Sequence, residues 1–429
     1  MIEEKIHEIA LLAKPKYLQN YDNFRPGEDY VMYSGQLWDE REMELSLKAF
    51  LTGKWVSAGE NVEKFQIRFS KKYNVKASHM VNSGSSANLV MIAGVKKHLK
   101  WEDGSEVIVS PVGFPTTIAP LVQNNLKPVF VDIEFDTLNF DVDKIAEKIT
   151  SRTKAIIVSP VMANPPDMDK IVEICKRYNL VLIGDNCDSL GTKWNDKLLT
   201  DLYYCWSTSF YPAHHISTGE GGMVSSNDVA LIDTVRSFSW WGRDCYCIGS
   251  NNQLPCGTCG NRFDRWLPGY DGIIDHKYIF ANMGYNLKPL DMQGAIGVAQ
   301  LEKVDFIDQK RREHKERLSK LLTKHLNVRV ADKLDKADPS WFGVPIICET
   351  QEIKEKLVAH FEENKIQTRN YFAGNILLHP GYKHLDDATK YPLANKALSH
   401  VFILGCPPFW NEAVFEYIEK VIKDAAENY

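Results

Sequence analysis

Residues 180–185 read Leu-Val-Leu-Ile-Gly-Asp, a short apolar run that ends in a carboxylate. Three similar runs, at 106–110, 128–132 and 155–159, are rich in β-branched residues and are bounded by turn residues. This pattern predicts strands that are buried on both faces of a sheet. Residues 168–178, between the last two of these strands, have a helical period. Strand, helix and strand in repetition predict a mostly parallel sheet with helices on both sides.

Length and composition place this sheet in an ordinary globular protein. The 429 residues carry a net charge of −5 with a pI of about 6.2, which does not suggest a surface for nucleic acid or anionic lipid. No apolar stretch approaches the ~18 residues of a membrane span. The first residues, Met1–Lys5, do not resemble a secretory signal, so we expect a cytoplasmic protein. We predict a helical segment at 1–50, a large domain at 51–305 and a smaller α/β domain at 306–429.

Four short segments contain residues suited to holding a phosphorylated ring. Small residues at 82–88 precede an apolar helix, and a helix start offers free N–H groups to a phosphate. Asp185 ends a strand, where an open parallel sheet binds ligands. Phe114 follows another strand, and Ser209 and His214 follow a strand-like run at 202–206. Each feature has an ordinary explanation when taken alone: a helix cap, a turn cap, a core aromatic or a structural histidine.

The cysteines form a second group. Cys187 lies two residues after Asp185, and four more cysteines follow within fifteen residues: Cys245, Cys247, Cys256 and Cys259. Clustered thiolates bind zinc or iron–sulfur centres, and the spacing alone slightly favours zinc. The isolated cysteines, which are Cys175, Cys205, Cys348 and Cys406, are interpreted as core packing.

Together these segments resemble the DegT/DnrJ/EryC1/StrS family of sugar aminotransferases. The matching stretches are SGSSAN at 83–88, NPPDM at 164–168, DNCD at 185–188, SFYPAHHISTGEGG at 209–222 and GYNL at 284–287. The resemblance covers about residues 30–410. It implies the fold-type-I architecture, with a mostly parallel seven-stranded sheet between helices and a smaller C-terminal α/β domain. In that family the fifth residue after the serine is the lysine that binds pyridoxal phosphate. His214 takes its place here, as in the sugar 3-dehydratase branch.

The resemblance implies pyridoxamine 5'-phosphate (PMP), the amine form of pyridoxal phosphate (PLP), as the cofactor. The implied binding residues are Ser85, Ser86 and Ser209 at the phosphate, Asp185 at the ring nitrogen, Phe114 on the ring face and Asn164 at the ring hydroxyl. Asn286 is expected to reach the phosphate of a neighbouring subunit, which implies a homodimer with shared sites.

The expected catalytic residues are His214 and Asp188. His214, with a pKa near neutral, is the expected base. Asp188 is expected to orient His214 or to bind the substrate, although a turn cap is an equal explanation. His215 is expected only to shape the loop. Arg369 and His379 resemble substrate-side positions.

One branch of these dehydratases carries a [2Fe–2S] cluster, and Cys187, Cys245 and Cys247 fit its ligand positions. Cys259 is the preferred fourth ligand, with Cys256 as its rival. The implied reaction is C3 dehydration of a CDP-4-keto-6-deoxyhexose in deoxysugar biosynthesis, such as that of lipopolysaccharide O-antigen. An NAD(P)H-dependent flavin or iron–sulfur reductase would supply the electrons.

Two other functions stay open. One is a cluster-free PMP 3-dehydratase, or an aminotransferase-like enzyme, that acts on a GDP- or dTDP-linked sugar. The other is a non-catalytic protein that binds sugar nucleotides.

Overall fold

A computed structural model describes residues 2–17, 21–53, 55–245, 263 and 267–428. The helices of these residues are α1 (Ile2–Tyr17), α2 (Glu40–Thr52), α3 (Glu60–Lys72), α4 (Gly84–His98), α5 (Pro115–Gln123), α6 (Met168–Tyr178), α7 (Val229–Ser239), α8 (Asp291–Leu301), α9 (Val304–His325), α10 (Gln351–Glu363), α11 (Pro392–His400) and α12 (Glu412–Asn428). The strands are β1 (Ala77–Val81), β2 (Glu106–Val109), β3 (Lys127–Phe130), β4 (Thr153–Val158), β5 (Val181–Asp185), β6 (Lys193–Trp194), β7 (Lys197–Leu198), β8 (Cys205–Ser209), β9 (Gly222–Ser226), β10 (Val328–Val330), β11 (Ala337–Asp338), β12 (Gly343–Cys348), β13 (Thr368–Asn370) and β14 (Val401–Gly405).

The central sheet has seven strands in the order β1-β9-β8-β5-β4-β2-β3. Only β9 runs in the direction opposite to the other six strands, so the predicted mostly parallel sheet is confirmed. The four apolar runs are β2 to β5, and residues such as Ile108 and Ile183 are fully buried. Burial on both faces explains why these strands lack a polar alternation.

Two features of the sheet differ from the sequence analysis. The strand-like run at 202–206 is wrong by several residues, because 199–202 form a short 3₁₀ turn and β8 runs from Cys205 to Ser209. Strand β9, with the sequence GMVSS, was not predicted. Its small side chains give no apolar run, although every one of them is buried by neighbouring elements.

A second sheet, with the order β10-β12-β14-β13, is antiparallel and belongs to the C-terminal part of the chain. The N-terminal segment packs on this part as well. Tyr21 stacks on Phe409 with a ring separation of 6.1 Å, and Trp410 Nε1 donates to the carbonyl of Met32 at 3.2 Å. Residue 31 bridges residue 366. The predicted division at 305/306 falls inside α9 and stays a prediction.

The arrangement brings several strand ends together. The carboxyl ends of β5 and β8 lie beside the start of α4, and the second sheet faces them. No helix among the described residues is long and apolar enough to span a bilayer.

Candidate active site

A cavity of about 830 Å³ lies between the strand ends of the central sheet and the second sheet. Ser85, Asp185 and His214 line one side, while Arg369 and residues 403–405 line the other. The size is that of a typical site for a cofactor with a small substrate. The cavity therefore brings together most of the residues that the sequence analysis selected.

The start of α4 forms a narrow cradle at one end of the cavity. Ser83 caps the helix, and its Oγ accepts from the backbone N–H of Ser86 at 3.0 Å. A Cβ on Gly84 would lie 2.4 Å from Ser209 Cβ, so only glycine lets the helix approach β8 this closely. Ser85 and Ser209 line the cavity beside it. Free N–H groups, two hydroxyls and the positive end of the helix dipole suit a phosphate.

Asp185 is held by a buried hydrogen-bond network. Its Oδ2 accepts from Asn88 Nδ2 at 2.9 Å and from Thr117 Oγ1 at 2.6 Å. Ser207 Oγ donates in turn to Asn88 Oδ1 at 2.5 Å. Since Oδ2 is occupied twice, the carboxylate has a fixed orientation, and Asp185 lines the cavity where a ring N–H would approach.

His214 and Asp188 lie together at the cavity wall. The distance from His214 Nδ1 to Asp188 Oδ1 is 3.6 Å, which is too long for a hydrogen bond. The ring of Phe342 packs against the imidazole, with centroids 5.2 Å apart. Nδ1 is buried, which leaves Nε2 as the nitrogen available to the cavity.

The expectation of a near-neutral pKa for His214 is not what the structure gives. Burial, together with the charge of Arg311, lowers the pKa of His214 to about 3. Burial and repulsion by Asp185 raise the pKa of Asp188 to about 8. In this state the imidazole is neutral at pH 7, which is the form that can accept a proton.

Lysine is absent from the described residues that line the cavity. Lys193, the nearest lysine before the histidine loop in sequence, is exposed on the short hairpin of β6 and pairs with residue 338. His215 is fully buried, and its Nε2 donates to the Ser340 carbonyl at 2.5 Å. The second histidine therefore anchors the loop through this hydrogen bond.

Three predicted cofactor residues do not line this cavity, whereas Phe114, which is half exposed, does. Ser86 is occupied by the cap, because its hydroxyl accepts from Ser83 Oγ at 3.0 Å. Asn164 is buried and donates to the carbonyls of Thr137 and Asp332, although its Oδ1 has no partner among the described residues. Asn286 is exposed, away from the cavity of its own chain.

Only two of the five predicted cluster ligands lie within the described residues. Cys187 lines the cavity, and Cys245 is buried. Burial and the charge of Asp185 raise the pKa of Cys187 well above its usual range. Cys247, Cys256 and Cys259 fall outside the described residues, and the described part of the chain contains no complete group of metal ligands.

The opposite wall carries the two substrate-side candidates. Arg369 stacks over the ring of Tyr33 at 4.0 Å, and its Nη1 donates to the carbonyl of Thr368. His379 also lines this wall, and its Nε2 donates to the Ala373 carbonyl at 2.9 Å. A guanidinium fixed on an aromatic face keeps free N–H groups for an anion.

Sequence reasoning missed the residues that support the site. Asn88 ends a quoted motif, and Thr117 follows Phe114 closely, so a search for polar residues at helix starts after strands could have found both. Tyr33 and Phe342 come from distant segments without a recognisable pattern. Arg311 is in the charged stretch of α9, which reads as a solvated face, yet it is 1% exposed.

Comparison with known proteins agrees with this geometry. The model of the DegT/DnrJ/EryC1/StrS aminotransferase family matches residues 38–424. The dTDP-4-dehydro-2,6-dideoxy-D-glucose 3-dehydratase of Saccharopolyspora spinosa is 36% identical over 419 residues, which cover 95% of this chain and 88% of that protein. The lipopolysaccharide biosynthesis protein RfbH of Salmonella typhimurium is 35% identical, with 92% and 91% covered.

A solved structure supports the same assignment. It is the E. coli GDP-4-keto-6-deoxy-D-mannose-3-dehydratase with bound hydrated PLP, which superposes with a TM-score of 0.80 at 28% identity and covers 92% of this chain and 99% of that one. The chain thus has the fold of the PLP-dependent sugar enzymes. It belongs to the DegT/DnrJ/EryC1/StrS aminotransferase family.

Proposed function

We propose that this protein is a PMP-dependent enzyme that removes the C3 hydroxyl of a nucleotide-linked 4-keto-6-deoxyhexose. The observation that carries the proposal is the cavity wall at His214: a neutral imidazole stands where the family has its lysine, in the same cavity as Ser85, Asp185 and Ser209. Relatives named as sugar 3-dehydratases, at 36% and 28% identity, support it.

The residues present fit the cofactor. Ser85, Ser209 and the N–H groups at the start of α4 would bind its phosphate, and Gly84 provides the room. Asp185 would hold a proton on the ring nitrogen, and Phe114 would cover one ring face. Asn164 and Ser86 stay weaker assignments, because each already has protein partners. When bound, PMP supplies an amine for the substrate ketone and a ring that accepts electrons.

The chain's own contribution is to move one proton and to exclude water. His214 Nε2 would take a proton from the carbon beside the cofactor amine and deliver it near the departing hydroxyl. Asp188, whose Oδ1 lies 3.6 Å from Nδ1, would fix the orientation of the imidazole once the ring has taken up its proton. Phe342 closes the back of the ring against solvent.

Arg369 would bind the substrate's diphosphate. Its guanidinium lies on Tyr33 and lines the cavity, and such a planar group suits bidentate contact with phosphate oxygens. The names of the relatives support dTDP- or GDP-linked sugars, which the sequence analysis held as its alternative, over the CDP-linked sugar that it preferred.

The test is turnover of each candidate substrate. Purified protein with PMP is incubated with dTDP-, GDP- or CDP-4-keto-6-deoxyglucose, and mass spectrometry follows loss of the C3 oxygen. We expect one nucleotide to be converted best. In His214→Asn, cofactor binding should persist while proton exchange at the carbon beside the cofactor amine is lost. Exchange at the wild-type rate in that variant would remove His214 as the base.

A cluster is a second proposal, and Cys187 favours it. Its thiol is part of the cavity wall, two residues from Asp185, so a bound [2Fe–2S] centre could pass electrons singly to the site from an NAD(P)H-dependent reductase. Cys245 and Cys247 would be further ligands, with Cys259 ahead of Cys256 as the fourth.

Anaerobic purification separates the cluster-bearing enzyme from the cluster-free one. Roughly two iron and two sulfide per chain, lost in Cys187→Ser and unaffected by Cys175→Ser, would support the cluster. Turnover driven by glutamate, without iron or reductase, would support the cluster-free enzyme. Bound zinc without iron would leave only a structural site.

A homodimer is the third proposal. Apolar side chains at 278–290 are exposed, among them Met283 at 95% and Tyr278 at 64%, and Asn286 lies in the same stretch between the exposed Tyr285 and Leu290. Exposed apolar patches of this kind mark association surfaces. Sedimentation should give a dimer that Met283→Glu weakens, and Asn286→Ala should lower cofactor affinity without changing the mass.

A further inference from the structure

Arg311 occupies an unusual place behind the active-site loop. It lies in the middle of α9, is 1% exposed and does not line the cavity. Its Nη2 donates to the carbonyls of Ala213 at 3.1 Å and His214 at 3.4 Å. Its Nη1 donates to the carbonyls of Phe342 at 3.1 Å and Trp341 at 3.3 Å. One side chain therefore joins two chain segments that are far apart in sequence.

A buried guanidinium carries a large desolvation cost unless it is well compensated. Here four carbonyl oxygens accept from its two Nη groups, while Nε has no hydrogen-bond partner and no carboxylate pairs with it within 4.0 Å among the described residues. Lysine could not replace it, since a single ammonium lacks the planar fork that reaches two separate peptide segments. The arrangement therefore depends on arginine geometry as well as on positive charge.

The two segments that Arg311 joins flank the imidazole. One contains His214 itself, and the other contains Phe342, whose ring packs against the imidazole. Ser34 Oγ adds a third contact by donating to the Ala213 carbonyl at 2.9 Å. Both flanking segments are irregular loop, so nothing in local secondary structure fixes their separation.

We propose that Arg311 is a positioning residue that clamps the His214 loop to the 341–342 segment and so aims the imidazole into the cavity. The inference rests on the proposed role of His214 as the base. Loss of the clamp should leave the cavity wall in place while the imidazole shifts, and a misplacement of about 1 Å can cost roughly a hundredfold in rate.

The test compares Arg311→Lys with Arg312→Lys. Arg312 is the matched control, because it is the next residue of α9 and also donates from its guanidinium, to Asp338 at 2.9 Å and to the Gly191 carbonyl at 3.0 Å. In Arg311→Lys we expect kcat to fall about 10- to 100-fold, while KM and the cofactor Kd stay within about twofold. Arg312→Lys should change kcat by less than about threefold.

A second readout does not depend on turnover. In cofactor-free protein with ¹³C-labelled histidine, the Cε1–H resonance of His214 is assigned by its loss in His214→Asn. It should move in Arg311→Lys and stay in place in Arg312→Lys. An unchanged resonance together with unchanged kcat would overturn the proposal, as would a fall in kcat matched by an equal loss of cofactor affinity.

Ser34→Ala decides the question if Arg311→Lys does not fold. That small change removes the third contact to the same loop, and we expect kcat to fall about threefold or more at constant KM. An unchanged kcat would contradict the clamp. Activity retained in His214→Asn would instead overturn the proposed function, whereas an inactive His214→Asn with a fully active Arg311→Lys would overturn only the clamp.

Discussion

Asn88 and Asp185 are joined by a hydrogen bond of 2.9 Å that is buried from solvent, although 97 residues separate them in the sequence. The bond ties the first turns of α4 to the end of β5. Asn88 also accepts from Ser207 on β8, so three elements meet at one amide. This explains how a carboxylate at a strand end keeps one orientation although no lysine or arginine of the described residues pairs with it.

Asn88→Ala should therefore weaken cofactor binding. Removing a buried bond to a charged acceptor costs about 1.5–3 kcal/mol, so we expect the Kd for PMP to rise roughly 10- to 100-fold in a fluorescence titration. Thr117→Val, which removes the other donor to Asp185, should act in the same direction. Thr389→Val removes a similar bond to Asp387 at an exposed turn and serves as the control. An unaltered Kd in both site variants would show that Asp185 does not contact the ring.

Gly84→Ala should disturb the phosphate cradle. The new Cβ would lie 2.4 Å from Ser209 Cβ, so α4 or β8 has to shift, at a cost of about 1–3 kcal/mol. We expect a lower Tm and weaker binding of both PMP and inorganic phosphate. Gly381→Ala is the matched change, because nothing lies within 4 Å of its Cβ. Equal effects of the two substitutions would contradict close packing at Gly84.

Acid should destabilise the cofactor-free protein through buried histidines. His79 is fully buried, with Nε2 and Ser239 Oγ 2.8 Å apart, and burial lowers its pKa to about 3. Below about pH 6.5 the unfolded chain binds a proton that the folded chain rejects, so stability is full above that pH and falls as the pH drops toward 3. Each such histidine contributes a slope of up to about 1.4 kcal/mol per pH unit.

Thermal unfolding between pH 7.5 and 5 measures this effect. His79→Gln should have a shallower decline of Tm with acid than the wild type. His384→Gln, a change at an exposed histidine, should leave the decline as it is. Parallel curves for all three proteins would show that His79 takes up a proton while folded.

His214→Lys should restore a covalent link to PLP. The position faces the cavity in a loop held by Arg311 and Ser34, and the described lining has no other lysine to compete. After borohydride reduction, mass spectrometry should find the cofactor attached at residue 214, and the wild type should carry none. Attachment to wild-type protein at any lysine would contradict a cofactor that is held without a covalent bond.

Much of the fold follows from local sequence, because strands buried on both faces leave unbroken apolar runs. Strands β2 to β5 and helix α6 were predicted within one or two residues. Strand β9 was not predicted, because its small residues allow a neighbouring backbone to pack closely against it. A Cβ on Gly222 would lie 2.3 Å from the Ser83 carbonyl oxygen. Such a contact is a property of the assembled layers and leaves no periodic signal.

The active site also has residues that local sequence identifies and properties that only the assembled fold determines. Ser85, Asp185, Ser209 and His214 lie in motifs that follow strands, so order along the chain was enough to group them. The protonation of His214 could not be predicted, because it depends on burial and on Arg311, about a hundred residues away. Ser86 and Asn164 show the converse limit, since a residue inside a motif can already be bonded to other protein groups, here the Ser83 hydroxyl and the Asp332 carbonyl.

The packing of Tyr21 on Phe409 and the hydrogen bond from Trp410 Nε1 to the Met32 carbonyl tie the beginning of the polypeptide to its far end. A fragment starting at residue 306 would expose those aromatic faces and lose the bridge at Ile366. The C-terminal part of the chain, which contains the second sheet, therefore cannot be exchanged as a separate unit. A chimera that replaces this part with that of a relative, to alter the sugar preference, would have to replace residues 21–33 as well.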